Sequence, residues 1–389
     1  MANEIVWFDS DEVGAPTLNN AAGSLIAVLD ALLVTGFNTQ ALTSISVTSG
    51  VATATKAGHG YGDARMVDIS GAGAALVNGR KKITVTGSGT FTFLVPGVAD
   101  GAVSGSIAAK RSPLGWARTH AAGATVGMYS RTDVTATTMS LRLDDTAAGV
   151  AGTNYARAVM VEAFTDVNIY TNPSPTVAQL SGGQYWGKGA NTATAKQWVL
   201  VGDGKTIYFF GEHSSYPAST YGVPYGPHMF GDIASDRAGD AYGCALAGPY
   251  DSSGNGTMGV TTPLGTGQTQ GSMVLARLST GIGAAVGAAP LGYSRRFGGS
   301  PGPSYPSRVD NGMVISAPVL VLENDATFGH PVRGTLRGVG DPLANIGQGL
   351  LHKQVLPNLT GSSRTWLTVG FVVSGGASHM AFDITGPWG

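Results

Sequence analysis

Hydrophobic and polar residues alternate with a period of two over short runs along most of this chain, and one stretch near its start breaks the rhythm. Residues 42–47, 51–55, 66–69, 82–85, 91–95 and 104–107 each read as a short strand, punctuated by glycine-rich turns such as Ser49-Gly50. The same pattern returns at 138–143, 156–161, 197–201, 206–210, 229–233, 241–246, 272–278, 314–315, 319–322, 365–373 and 379–384. Gly202-Asp203-Gly204-Lys205 reads as a hairpin turn whose glycines supply positive φ, and residues 374–377 read as a second. The exception begins after Asn20. Leu25, Ile26, Val28, Leu29, Leu32 and Leu33 recur at three- and four-residue spacing, which predicts a helix capped by Asn19 or Asn20 and stopped by Gly36. Before it stands a short apolar run, Ile5-Val6-Trp7-Phe8.

Composition sharpens this picture. Fifty-nine glycines in 389 residues, without a collagen period, call for many tight turns, and 43% hydrophobic residues suffice for packed cores. The expected fold class is mainly β: an N-terminal strand and helix, a small β-barrel-like module, and a large antiparallel β-sandwich-like C-terminal region. The divisions read as 1–41 for docking or assembly, 42–110 for the small module, and 111–389 for the large region, with a further cut open near 290–310. Residues 110–116 form the junction, which Lys110 and Arg111 are expected to keep solvated.

Charge and cysteine usage exclude whole classes of function. A net charge of -1 removes the global attraction on which non-specific nucleic-acid binding rests. Cys244 is the single cysteine, so no disulfide framework can form. No run of 18 apolar residues would span a membrane, and Asn3 and Glu4 stand where a signal peptide is basic. The expected setting is a cytoplasm, or a particle assembled in one.

Candidate chemistry is sparse. His213 and His228, with Asp232, Asp236 and Asp240 at four-residue steps, could hold a metal, but glycines favour turns and exposed acids there. Asp144 and Asp145 are neighbours on a strand, so their side chains diverge. Gly187-Lys188 lacks the spacing of a phosphate loop, the glycines at 265–271 lack a βαβ context, and no nucleophile elbow or zinc-helix motif occurs. The expectation is therefore no catalytic residue, no cofactor, no metal and no enzymatic activity. Two binding candidates remain. Tyr216, Tyr221 and Tyr225 lie in an aromatic loop suited to protein contact or sugar stacking, with core packing as the alternative. Arg295, Arg296, Phe297, Tyr305 and Arg308 lie in a proline- and glycine-rich loop that reads as an intersubunit contact or as a solvated loop.

A resemblance rests on particular strings. Val51-Ala52-Thr53-Ala54-Thr55, Gly58-His59-Gly60-Tyr61-Gly62-Asp63, Val67-Asp68-Ile69-Ser70-Gly71, Leu76-Val77-Asn78-Gly79 and Phe91-Thr92-Phe93 occur in order. Together they are similar to a small β-barrel-like repeat of tailed-phage tail and fibre proteins, which also resembles the first catalytic-cysteine half-domain of ubiquitin-activating enzymes. Over the whole chain, Leu141-Arg142-Leu143-Asp144-Asp145, Ser181-Gly182-Gly183-Gln184-Tyr185-Trp186 and the ending Phe382-Asp383-Ile384-Thr385-Gly386-Pro387-Trp388 look like a family encoded by tailed phages and prophages. The resemblance implies a virion structural protein at the tail, baseplate or tail-fibre attachment, homo-oligomeric and bound to other virion proteins. A receptor- or host-glycan-binding tail tip and a capsid decoration protein are its rivals. A tailspike enzyme ranks last, because no solenoid repeat is present.

Overall fold

The computed structural model describes residues 4–146, 155–189, 193–211, 225–249, 273–291, 315–316, 318–324, 331–342, 352–356, 363–373 and 376–388. The chain is mainly β, as its alternation predicts, with one short helical segment near the N-terminus.

That segment is an α-helix, Ser24–Leu29, running into a π-helical turn, Asp30–Thr35, which ends at Gly36 with φ 75°. Leu25, Ile26, Val28, Leu29, Leu32 and Leu33 are all buried in this chain's own core. The cap departs from expectation. Asn19 Oδ1 accepts the Ala21 amide in a local turn, and the Leu25 amide instead donates to Asp145 at 2.9 Å. A carboxylate distant in sequence thus does the work of a neighbouring asparagine. At the other end Leu32 O accepts the Leu114 amide, and Leu33 O accepts those of Gly115 and Trp116. A helix terminus leaves carbonyls without partners, and the 112–116 segment satisfies two of them. The junction expected to be solvated is for that reason a buried strap, with Arg111 and Ser112 only 1% and 0% exposed.

The small module is built from two sheets around its own core of Ile45, Val47, Val67, Ile69, Phe91 and Phe93. One sheet runs Phe37–Ala41, Gly105–Arg111, Met66–Ala72, Gly79–Lys82. The other runs Thr84–Gly87, Thr90–Leu94, Val51–Thr55, Ser44–Thr48, Gly101–Ala102. Phe37–Ala41 lies outside the 42–110 division and pairs with Gly105–Arg111. The run read as one strand over 82–85 is divided between the two sheets at Ile83, whose side chain is 1% exposed between them.

The large region holds a five-stranded sheet, Ala117–Ala122, Val126–Ser130, Ser140–Asp144, Tyr155–Val161, Gln184–Gly187. Beside it runs a larger antiparallel sheet. Its strands follow the order Val6–Asp9, Trp198–Gly202, Thr206–Gly211, Tyr225–Asp232, Cys244–Ala247, Met273–Leu275, Val286–Leu291, Leu320–Glu323, Val332–Thr335 and Ala234–Ser235. Ala234–Ser235 continues directly from Tyr225–Asp232, so the sheet curls until Val332–Thr335 meets it, with Ala234 opposite Thr335 and Ser235 opposite Gly334. One face of this sheet packs with the hairpin Trp366–Val373 and Gly376–Asp383, burying Tyr208, Phe210, Leu367, Val369, Phe371 and Phe382. The opposite face, through Phe209, Phe230, Leu246 and Val274, shares a core with the helix and the five-stranded sheet.

The expected hairpin at 202–205 is present, but by a different device. Asp203 Oδ1 accepts the amides of Lys205 and Thr206, both at 2.8 Å, and neither Gly202 nor Gly204 takes a positive φ. Glycine at 202 serves close approach instead: a Cβ there would sit 2.7 Å from the Thr206 carbonyl oxygen.

Candidate functional site

Asp232 ends its strand and Asp240 stands in the loop after Ala234–Ser235, and both line one cavity of about 540 Å³ together with Lys205, Arg237 and Arg337. Their oxygens are already engaged. Arg131 donates to Asp232 at 2.7 Å, as do the Thr137 hydroxyl at 2.6 Å and the Thr137 amide at 3.0 Å. Arg333 donates twice to Asp240, at 2.7 and 2.8 Å, and Ser235 and the Tyr242 amide add to it. Burial pushes the Asp240 carboxyl up, but these donors outweigh it and hold it below the ordinary range. Asp236 is exposed to solvent. Two acids clamped by arginines and one in water do not converge, and among the described residues no group of three or more His, Cys, Asp or Glu side chains could hold a metal.

His213 lies outside the described residues. His228 is a core residue: the Gly187 amide donates to its Nε2 at 2.9 Å, which leaves Nδ1 to donate to Phe209 O at 3.2 Å. Cys244 is fully buried, and burial raises its thiol to about 11, so it stays protonated and inert.

Asp144 and Asp145 do diverge. The strand Ser140–Asp144 ends between them; Asp144 accepts from Arg142 and the Thr146 hydroxyl near the surface. Asp145 turns inward and pairs with Lys188, both side chains 0% exposed. Burial raises the Asp145 carboxyl against the pull of Lys188 and the Leu25 amide. Lys188 also donates to Ala21 O at 2.9 Å, so one buried ammonium ties the helix entry to the end of Gln184–Gly187. Nothing in the Gly187-Lys188-Gly189 string marks it as a core residue.

Of the binding candidates, Arg295, Arg296, Phe297, Tyr305, Arg308, Tyr216 and Tyr221 lie outside the described residues. Tyr225, expected in a loop, begins the strand Tyr225–Asp232 and pairs with Gly211 and with Val372. Phe230 and Trp186 are buried in the core.

A surface that the sequence did not single out lies on the small module. In its Thr84–Gly87 to Gly101–Ala102 sheet, the alternate residues Ile45, Val47, Ala52, Ala54, Phe91 and Phe93 point inward and are buried. Period two then sends the others outward. Register aligns them in rows: Ala102, Ser46, Thr53, Thr92 and Thr84 form one, Ser44, Thr55 and Thr90 the next, and Thr48, Val51 and Leu94 the third. None of these residues is charged. Leu94 is 73% exposed, and Leu76, close to Gly97 at the same end, is 58% exposed. At the opposite end the module is strapped to the body. Arg65 pairs with Asp9 at 2.9 Å, Arg111 pairs with Glu12, and both guanidinium groups donate to Trp7 O.

No protein-family model and no curated protein matches the chain.

A pair of histidines gives the fold an acid sensitivity. His352 Nδ1 accepts the Gly370 amide at 3.2 Å, and His379, opposite Gly370 on the adjacent strand, is 2% exposed. Burial lowers both to about 4. A histidine held neutral in the fold binds fewer protons than in the unfolded chain, so stability is full above the ordinary histidine range and is lost as pH falls towards 4. Urea unfolding between pH 7 and pH 4 should show a loss of about 2 kcal/mol from His379. His379→Leu should flatten that part of the profile; an unchanged slope would reject the assignment.

Proposed function

We propose that the protein is a structural component of a tailed-phage virion, placed at the tail, baseplate or tail-fibre attachment and working through symmetric protein–protein assembly. The observation that carries this reading is the build of the small module. It has a core separate from the body, a strap of arginine–carboxylate pairs at one end, and an uncharged outward face with exposed leucines at the other. Such a unit is suited to docking, and its sequence is the part that resembles the tail repeat. The buried ion pairs support the same reading: Arg65–Asp9, Lys188–Asp145 and Arg333–Asp240 each join segments distant in sequence. These groups hold a framework together.

The test is location in the particle. Antibodies raised against the protein should decorate the tail or its distal structures in electron micrographs of intact virions. Decoration confined to the head, or particles that form and infect normally without the protein, would overturn the proposal.

A further inference from the structure

We propose that Lys188 and Asp145 join covalently, the lysine amine and the aspartate carboxyl condensing to an amide inside the folded chain. This chemistry needs nothing from the virion reading. Lys188 Nζ is in direct contact with Asp145 Oδ1, and both side chains are 0% exposed. An amine and a carboxyl held against each other react as though at very high concentration, and a site closed to bulk solvent protects the product from hydrolysis. The residue types select this pair. Asp203, Asp232 and Glu323 are also buried carboxylates, and each faces an arginine. A guanidinium stays protonated and offers no nucleophile, whereas a lysine can pass its proton to a neighbour and then carries a reactive lone pair. Among the described residues Lys188 is the one buried lysine.

The carboxyl is arranged as the electrophile. The Leu25 amide donates to Asp145 Oδ2 at 2.9 Å, and the Ile26 amide donates to the same carboxyl. Burial raises this carboxyl, which favours its uptake of the proton that Lys188 gives up. The step then balances. The ammonium passes one proton to Oδ1, the freed Nζ lone pair attacks Cγ, and negative charge gathers on Oδ2, where the Leu25 amide stabilises it. The Cγ–Oδ1 bond breaks, and Oδ1 departs as water with the proton it has received and a second one from Nζ. An Nζ–Cγ amide remains. Its N–H keeps Ala21 O as acceptor, a partner that Lys188 already holds at 2.9 Å.

Asp145 follows Ser140–Asp144 and Lys188 follows Gln184–Gly187, the two strands that flank Tyr155–Val161 in the five-stranded sheet. The amide therefore ties together two strands that share no hydrogen bonds of their own, across 43 positions of sequence. Such a tie resists pulling in a way that a strand ladder does not, and by closing a loop it also constrains the unfolded chain.

Intact-mass spectrometry of the full chain, purified in its folded state and measured under denaturing conditions, tests this directly. The native protein should be lighter than its sequence by one water. Tryptic digestion should yield a branched peptide that joins the segment holding Asp145 to the one holding Lys188. Lys188→Arg keeps the charge but supplies no nucleophile, and Asp145→Ala removes the electrophile, so each should show its full sequence mass. The decisive reading is the mass of the native chain, which stands whether or not a variant folds. Native protein at its full sequence mass, with no branched peptide after prolonged incubation in the folded state, overturns the proposal and leaves the pair a salt bridge. A missing water that persists in Lys188→Arg, or a branch at another residue, overturns it as well. None of these results bears on location in the particle, so the cross-link and the virion role fail separately.

Discussion

Lys188→Met should destabilise the protein by about 3–5 kcal/mol, because it leaves the Asp145 carboxylate buried without its countercharge. The side chains are similar in length, so the loss is electrostatic and little of it is packing. The damage should centre on the helix entry, where Asp145 accepts the Leu25 amide and Lys188 holds Ala21 O. Two further measurements separate this account from general disruption. The unpaired carboxyl will take up a proton more readily than in the unfolded chain, so the deficit against the native protein should shrink as pH falls towards the ordinary carboxylate range. Combining Lys188→Met with Asp145→Asn should recover much of the loss, since an asparagine oxygen still accepts the Leu25 amide. A deficit that does not change with pH, or a double variant worse than the single one, would sink this explanation.

Arg333→Met should cost a similar amount, about 3–5 kcal/mol, and act at a different place. Arg333 is 2% exposed and binds both Asp240 and Glu323, on the strand that closes the curled sheet. Its removal strands two carboxylates beside the seam, where only two residue pairs join Ala234–Ser235 to Val332–Thr335. Hydrogen exchange should accelerate first at the Asp236 amide, which donates to Arg333 O, and at the seam amides, before the helix and the small module. Uniform acceleration across the chain would mean that the seam has no separate stability.

The contrast between these two sites shows what a sequence can reveal. Alternation located most strands because inward residues such as Ile45, Val47, Phe91 and Phe93 must be apolar wherever one face is buried. It missed Phe37–Ala41, whose Asn38, Thr39 and Gln40 lack that signature and whose pairing is supplied by Gly105–Arg111. The helix was legible from its leucines, while its cap was not, because Asp145 stands just past a strand formed much later in the chain. Ile83 could not be placed between two sheets from a run that alternates smoothly on both sides. Site chemistry was harder still. Asp232, Asp240 and Asp145 were visible as acids, but whether a carboxylate is free or clamped depends on arginines and lysines that only the fold brings near. The uncharged outward face of the small module was hidden for another reason: threonines on single strands are ordinary, and only the register across five strands gathers them on one side.

One consequence follows from the two guanidinium groups that share Trp7 O. Among the described residues Val6–Asp9 pairs on one side only, with Trp198–Gly202, and an open outermost strand is a template on which another chain can lay a further strand. Arg65 and Arg111 occupy an acceptor that such an incoming strand would need, and their pairing with Asp9 and Glu12 keeps them in place. An incoming strand would find this acceptor already taken. Arginine here occupies a strand border as much as it fastens the module, and because Arg111 donates to Trp7 O at 2.9 Å, loss of Arg65 alone would leave that acceptor taken.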